Sequence, residues 1–287
     1  MLQVARLAPK LLSDSTDLVA AFFNERYDDC GGFRDRSGQP DLYYTVFGLE
    51  GLTALRRSAR LDATRAYLAS FGDGPALDFV HLACLARCWA NVQADWVGAQ
   101  RDRLLARLGE YRSADGGFST EPGAPGGTAY GAFLAVGAYQ DLHAHLSNPE
   151  TVVRSLMSLV AADGGVSNVP EAPAGITPAT AAAVLLLRHL DTAVPNTWGE
   201  WLLARAHPRG GFVATPGAPM PDLLSTATAL HALVSVHVDI DGIKEPCLDF
   251  LDSLWSNRGG FYGHWEDDAL DCEYTYYGLL ALGHLSL

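Results

Sequence analysis

The sequence is poor in cysteine and has no long apolar run. Its five cysteines are an odd number without the close pairs of a disulfide framework, which favours a reducing compartment. Residues 1–14 carry Arg6 and Lys10 but have neither the apolar run nor the small-residue cleavage site of a secretory signal. No stretch reaches the length of a membrane span either. We therefore expect a soluble cytoplasmic protein.

Positive charge is also scarce. The chain has 20 Lys and Arg residues against 33 Asp and Glu residues, so its formal net charge is −13. An acidic chain of this kind repels phosphate backbones, which argues against nucleic acid as a partner. Hydrophobic residues make up 48% of the 287 positions, which is enough for a large core.

A short motif of two glycines followed by an aromatic or aliphatic residue recurs along the chain. Its copies begin at Gly31, Gly116, Gly164, Gly210 and Gly259. The spacing is about 50 residues except in the first interval, where a degenerate copy around residues 71–74 fills the gap. A fixed period of this length is typical of repeat architectures, and it predicts six repeats.

Each repeat pairs an amphipathic helix with a helix that is apolar nearly all round. The amphipathic helices are predicted over 15–27, 62–71, 95–111, 149–162, 197–206 and 244–256. The apolar helices are predicted to start at Asp41 and to cover 78–92, 127–142, 178–190, 223–237 and 271–285. Helices that are apolar all round must be buried on both sides, whereas amphipathic ones need only one covered face. We therefore expect an all-α fold, an α/α toroid (α6–α6 barrel) with Gly-Gly-aromatic turns, in one domain over 1–287.

The first and last repeats carry recognisable sequence motifs. Residues 31–33 read Gly-Gly-Phe, residues 35–36 read Asp-Arg and residues 41–48 read Asp-Leu-Tyr-Tyr-Thr-Val-Phe-Gly, while residues 271–277 read Asp-Cys-Glu-Tyr-Thr-Tyr-Tyr. These motifs resemble the repeats of protein prenyltransferase β subunits and of class II terpene cyclases. The likeness is closest to the β subunit of the Rab-type geranylgeranyl transferase. The resemblance covers essentially the whole chain. It implies the toroid fold, an isoprenoid substrate and a helical α-type partner subunit.

The resemblance also implies a zinc site, but its ligands are changed here. The family's aspartate is matched by Asp271, whereas Glu273 stands at its cysteine position and Tyr44 at its histidine position. Cys272 comes one residue too early, and neighbouring helical residues point about 100° apart. Hard oxygen ligands suit Mg²⁺ or Mn²⁺ better than a thiol-activating Zn²⁺. The sequence assigns no cofactor, and a divalent metal, Mg²⁺ or Zn²⁺, at Asp271 and Glu273 is one alternative.

The basic residues that hold a diphosphate in the transferases are replaced as well. His264 stands at the family's arginine position and Asp267 at its lysine position, and a carboxylate there would repel a diphosphate. Arg34 and Arg36 of the first repeat are the remaining cations. In the cyclase branch, the acid motif Asp-x-Asp-Asp-Thr-Ala corresponds to residues 222–227, where Leu224 replaces the proton-donating aspartate.

An acid for cyclase-type chemistry must therefore lie elsewhere. The best substitute is the carboxylate group 266–268 with Asp271 and Glu273, because carboxylates brought together in an apolar funnel raise one another's pKa. The alternative is that 266–268 form a solvated loop. Asp41, Asp78, Asp222 and Asp271 each open an apolar helix, where an aspartate is a favoured N-cap worth about 1 kcal/mol.

The candidate site residues gather at the starts of the apolar helices. The candidates for acid, base or metal ligation are Asp271, Glu273, Tyr44, Asp41 and His81. The candidates for substrate binding are Tyr43, Phe47, Arg36, Tyr130, Phe133, His264, Tyr274 and Tyr277. Aromatic faces attract cations and pack against polyenes, although core packing explains many of these rings without a ligand. For His81 a hydrogen-bonded core position is the favoured alternative to a base or a metal ligand.

The leading interpretation is an enzyme that acts on an isoprenoid or similarly apolar substrate held in an aromatic funnel. A second interpretation is a zinc-dependent prenyltransferase β-like subunit. A third, from a different class, is a lipid-binding or scaffold toroid that carries out no chemistry.

Overall fold

Helix pairs build the protein. The computed structural model describes residues 1–93 and 98–287. Within these residues twelve long helices form six pairs. The first helices of the pairs are α3 (Thr16–Arg26), α5 (Leu61–Ser70), α7 (Ala99–Gly109), α9 (Pro149–Met157), α11 (Asn196–Leu203) and α13 (Asp241–Leu254). The second helices are α4 (Leu42–Ala54), α6 (Phe79–Val92), α8 (Ala129–Asp141), α10 (Thr177–His189), α12 (Leu223–Ser235) and α14 (Cys272–Leu285).

The six pairs close into a ring. Each second helix packs against the next one, from α4 through α6, α8, α10 and α12 to α14, and α14 packs against α4. The outer layer closes too, because the turn at Gly259 lies so near the Leu18 carbonyl of α3 that a Cβ at Gly259 would overlap it. The predicted toroid and its six repeats are confirmed. Asp95, the predicted start of the third outer helix, lies outside the described residues.

In four of the described repeats a threonine holds the Gly-Gly turn on the inner helix. The Thr45 hydroxyl accepts the Phe33 N–H at 2.9 Å and donates to the Asp41 carbonyl at 2.6 Å. Thr226 does the same for Phe212 and the Asp222 carbonyl. The N–H groups of Val166 and Phe261 are likewise bound by Thr180 and Thr275. The threonine thus gives a buried N–H group a hydrogen-bond acceptor, and leaving that group without one would cost free energy.

Aspartate caps open four of the inner helices, as predicted. The carboxylates of Asp41, Asp78, Asp222 and Asp271 each accept one or two backbone N–H groups of the first turn. In two repeats the cap also ends a short ribbon, in which β1 (Phe33–Arg34) pairs with β2 (Pro40–Asp41) and β3 (Phe212–Val213) pairs with β4 (Pro221–Asp222), both antiparallel. These ribbons place loop residues over the N-terminal rim of the ring.

The N-terminal segment forms structure that the sequence pattern did not predict. Helices α1 (Leu2–Ala5) and α2 (Pro9–Leu12) precede the first pair, and α1 packs against α14 and α4. Ala5 and Ala8 are fully buried there. In the described part of the chain, every helix is too short or too polar to cross a membrane.

Candidate active site

An apolar cavity of about 140 Å³ lies inside the ring toward the N-terminal ends of the inner helices. Five residues proposed from the sequence line it, namely Glu273, Tyr43, Tyr130, Phe133 and Tyr277. The other described lining residues were missed, and they are Met1, Asn168, Ile176, Pro178, Ala179, Ala182, Leu185, Leu224 and Thr228. Most of these are small or aliphatic residues of inner helices. The sequence gives no signal that distinguishes such residues facing the lumen from those packed in the core.

Glu273 is the acidic group on the cavity wall. The Tyr43 hydroxyl donates to its Oε1 at 2.6 Å. Burial raises the pKa of Glu273 to about 7, and the hydrogen bond from Tyr43 opposes that rise by stabilising the carboxylate. The carboxyl is therefore substantially protonated near neutral pH, as a general acid must be. The tyrosine that meets Glu273 is Tyr43, whereas the sequence interpretation placed Tyr44 in that group.

Glu273 and Leu224 occupy the same register in neighbouring repeats. Each stands two residues after the capping aspartate of its inner helix, Asp271 in one case and Asp222 in the other. Both line the cavity. The position where a cyclase-type acid was sought in α12 is thus apolar, while the equivalent position of α14 carries a carboxyl. Glu273 was already proposed from the sequence as a substitute acid, and the register that it shares with Leu224 can also be read from the sequence.

Asp271 is held by Arg36 and by the start of its own helix. Its Oδ2 accepts from Arg36 Nε at 2.6 Å, and its Oδ1 accepts the Tyr274 N–H at 2.8 Å. Arg36 also makes a two-pronged pair with Asp267 at 2.9 and 3.2 Å, and its guanidinium lies 5.4 Å from the centre of the Tyr274 ring. Burial raises the pKa of Asp271 in spite of Arg36. Glu266 and Asp268, the other members of the predicted carboxylate group, are exposed.

His81 bridges two helix caps at the rim. Its Nε2 lies 3.1 Å from Asp41 Oδ2 and its Nδ1 lies 2.8 Å from Asp78 Oδ1. The hydrogen bond to Asp41, joined by that to Asp78, raises the pKa of His81 to about 9 although burial opposes it. His81 is therefore a cation at neutral pH that ties the second inner helix to the first.

The remaining candidates surround the cavity without lining it in the described structure. The Phe47 ring packs edge-on against the Tyr43 ring at 5.0 Å and lies tilted against the Tyr277 ring at 5.5 Å, so Phe47 packs behind two residues of the cavity wall. Tyr44 contacts the edge of Tyr43 at 5.6 Å. His264 lies in the rim loop, where its Nδ1 accepts the Glu266 N–H.

The side chains around Asp271 and Glu273 do not fit the requirements of a metal site. Among the described residues, no group of three or more His, Cys, Asp or Glu side chains could hold a metal ion. Both oxygens of Asp271 are already bonded, and Oε1 of Glu273 is bound by Tyr43. The thiol of Cys272 is fully buried away from the cavity wall.

The family model of the prenyltransferase alpha-alpha toroid domain matches residues 8–70, 70–206 and 179–286. The chain therefore belongs to this family. No curated protein sequence matches it.

Three solved structures show how widely the fold is shared. A variant of the type II terpene cyclase MstE from Scytonema, in complex with its substrate geranylgeranyl dihydroxybenzoate, is 14% identical with a TM-score of 0.67, over 97% of each chain. Protein geranylgeranyltransferase-I of Candida albicans, complexed with GGPP, is 14% identical with a TM-score of 0.68, over 94% of this chain and 90% of that one. The polysaccharide lyase BACCELL_00875 is 11% identical with a TM-score of 0.63, over 96% and 97%. At these identities the likeness establishes the fold, and function must be argued from the site.

Proposed function

We propose that this protein is an enzyme that protonates a neutral isoprenoid, or a similarly apolar polyene, with Glu273 as the general acid. One observation carries the proposal: a carboxyl with a pKa raised to about 7 lines an apolar, aromatic cavity inside the ring. A raised pKa in a concave site is where an acid catalyst is expected. The similarity to MstE, a type II terpene cyclase, supports the same class of reaction.

The chemical step balances within the substrate. The Glu273 proton passes to one carbon of a substrate double bond, whose π electrons form the new C–H bond and leave a carbocation on the other carbon. A second double bond of the substrate attacks that cation and closes a ring, which leaves a new cation on the far carbon of that double bond. A carbon next to the new cation then gives up a proton to water, which regenerates an alkene. Glu273 is reprotonated by water, so the net reaction is an isomerisation.

Aromatic rings would stabilise the cation inside the cavity. Tyr43, Tyr130, Phe133 and Tyr277 line the same space as Glu273. The faces of such rings attract positive charge most strongly where water is excluded. Tyr43 has a second role. Its hydroxyl holds Glu273 in place and keeps the pKa of Glu273 lower than burial alone would set it.

A diphosphate substrate is disfavoured by the charges at the rim. Arg36 is paired with Asp267 and Asp271, Arg34 is paired with Asp28, and His81 is paired with Asp41 and Asp78. A diphosphate would have to displace these carboxylates. In the same way, a divalent metal at Asp271 and Glu273 would have to displace Arg36 and Tyr43, so the proposal uses no metal.

The test is incubation of the purified protein with neutral polyenes in deuterated water. We expect a cyclised or isomerised product that carries one deuterium, detected by mass spectrometry, and no such product with the Glu273→Gln variant. Recovery of a bound but unchanged polyene from the wild-type protein would favour the non-catalytic binding toroid. A product that forms only with a diphosphate and added zinc would favour the transferase.

Two further expectations belong to this proposal. All five cysteines are unpaired, and this fits a cytoplasmic location because reducing compartments keep thiols free. The helical α-type partner implied by the transferase resemblance stays a prediction, which light scattering of the protein alone and with such a subunit would test.

A further inference from the structure

Asn168 is a polar residue on the wall of the apolar cavity, and the proposed chemical step does not use it. It lies in the loop between α9 and α10. Its side-chain Oδ1 accepts the Tyr130 N–H at 2.9 Å. Tyr130 belongs to the first turn of α8, where backbone N–H groups have no partner within the helix. The Asn168 amide therefore joins two neighbouring repeats at the cavity wall.

The equivalent residues of the next two repeats make this joint with backbone atoms. Ala214 and Gly263 stand, like Asn168, three residues after the second glycine of their Gly-Gly turns. The Ala214 carbonyl accepts the N–H of Thr177, the first residue of α10, at 2.8 Å. The Gly263 carbonyl accepts the N–H of Leu223, the first residue of α12, at 2.8 Å. Because a backbone carbonyl is enough for the joint, the side-chain amide of Asn168 supplies more than the joint requires.

What the amide adds is a hydrogen-bond donor. The Tyr130 N–H needs an acceptor, so Oδ1 must face it and Nδ2 keeps both of its hydrogens available. Among the described residues, no acceptor lies within hydrogen-bonding distance of Nδ2. Two hydroxyls on the same wall differ in this respect, because Tyr43 donates to Glu273 and Thr228 donates to carbonyl groups of its own helix.

The loop holds this donor in place. The Ser167 N–H bonds the Leu159 carbonyl at 3.0 Å, and the Val169 N–H bonds the Ser167 hydroxyl at 3.4 Å. With Oδ1 bonded as well, Asn168 is fixed through its backbone neighbours and through its side chain. A group that is fixed before binding loses little conformational entropy when a ligand arrives. The side chain of Tyr130 is 38% exposed, so this part of the wall lies near the opening of the cavity.

The chemistry of the amide indicates what it would bind. A purely apolar ligand that covered Asn168 would leave Nδ2 without water and without an acceptor, which costs free energy. An oxygen atom of the ligand at this place would supply the acceptor. The amide carries no charge and cannot form the charge-assisted hydrogen bonds that hold a diphosphate. An uncharged oxygen is therefore the fitting partner.

We propose that Asn168 Nδ2 binds an uncharged oxygen atom of the substrate. The substrate is then an isoprenoid with an ether, ester, carbonyl or hydroxyl oxygen rather than a pure hydrocarbon. The inference rests on the proposed function for the isoprenoid class of substrate. Asn168 is a residue that determines specificity: it holds the oxygen near the opening and leaves a double bond of the chain to Glu273.

Two small ligands that differ in a single group test this. Prenyl methyl ether carries one ether oxygen, which only accepts hydrogen bonds, and 2-methyl-2-hexene has a methylene group in its place. Each is little longer than one isoprene unit. Their dissociation constants are measured by NMR titration of the purified protein. We expect the ether to bind about three- to tenfold more tightly, which is the worth of one neutral hydrogen bond.

Two variants assign the preference to Asn168. Asn168→Asp keeps an acceptor for the Tyr130 N–H and removes the donor, so the ether should lose its advantage. Asn168→Ala removes both groups and should have the same effect on the ratio. The matched control is Asn91→Asp in α6, which adds the same charge in a second cavity toward the C-terminal ends of the inner helices. Asn91 Nδ2 donates to the Arg87 carbonyl at 3.0 Å, and the ratio should not change. Thermal melts verify that each variant is folded.

Equal affinity of the wild-type protein for the two ligands would overturn the inference. An ether preference that survives in both Asn168 variants would overturn it too, because the oxygen would then bind another donor, such as the hydroxyl of Tyr130 or Tyr277. Absence of binding by the ether would have the same meaning. These outcomes are separate from failure of the proposed function, since binding needs no turnover. Full turnover by Glu273→Gln would refute the acid and leave the affinity ratio as it is.

Discussion

The Tyr43 hydroxyl lies 2.6 Å from the Glu273 carboxylate although 230 residues separate them in the chain. The contact joins the first inner helix to the last, so it exists only because the ring closes. It also places the acidic group of the cavity under the control of a tyrosine from another repeat. The first two predictions concern this pair.

Glu273→Gln removes the transferable proton and keeps the shape of the side chain. We expect turnover of a neutral polyene to fall by about 10²–10⁴, the range for loss of a general acid, with little change in substrate affinity. Product formation and calorimetric binding on the same preparations measure the two quantities. An equal loss of affinity would indicate that Glu273 positions the substrate instead.

Tyr43→Phe changes the pH dependence of turnover. The acid form of Glu273 is present below its pKa of about 7, so wild-type kcat should fall as the pH rises through 7. The Tyr43 hydrogen bond stabilises the carboxylate, and its removal raises the pKa of Glu273 further. The falling limb should therefore move to higher pH while the maximal kcat decreases, because the acid is weaker. A limb that stays in place would contradict the assignment of Glu273.

Arg36→Met leaves the buried Asp271 without its cation. Removing one partner of a fully buried pair costs about 3–5 kcal/mol, and we expect about 2 kcal/mol here because the Arg36 side chain is 38% exposed. Urea denaturation measures the free energy of unfolding. The matched control is Arg34→Met on the same loop, whose partner Asp28 is more exposed. Its loss should stay below about 1 kcal/mol, and equal losses would refute the special role of Asp271.

His81→Gln tests the bridge between the two helix caps. Because the folded protein raises the pKa of His81 from 6.5 to about 9, the protonated ring contributes stability that is complete below pH 6.5 and disappears as the pH rises to about 9. The wild type should lose unfolding free energy across this window, and the variant should lose less. Denaturation curves at pH 6 and pH 9 give the comparison, and parallel losses in both proteins would rule out the bridge.

Thr226→Val tests the repeated threonine. The change keeps the shape but leaves the buried Phe212 N–H without an acceptor, so we expect a loss of about 1–3 kcal/mol. Thr228→Val is the control two residues further on, since its hydroxyl bonds only carbonyl groups of its own helix, and its loss should be under about 1 kcal/mol. Equal losses would mean that the turn does not depend on the threonine.

The repeat pattern predicted most of the fold. Gly-Gly turns, an apolar helix after each turn and aspartate caps are local features, and most of the described helices begin and end close to the predicted residues. The exception is α9, which ends at Met157 rather than at the predicted 162. That residues 1–287 form one domain, and that the named site residues act in catalysis, stay predictions. Helices α1 and α2 were missed because a single helical turn has too few residues to show a period.

The sequence by itself determined the six helix pairs, the capping residues and the membership of the toroid family, because each repeat carries its own turn, cap and apolar face. The tertiary structure decided which residues meet across the ring. Tyr43 rather than Tyr44 reaches Glu273, Arg36 reaches Asp271, and Met1 enters the lumen. Such contacts depend on small rotations that accumulate over six pairs, and no local pattern contains that sum.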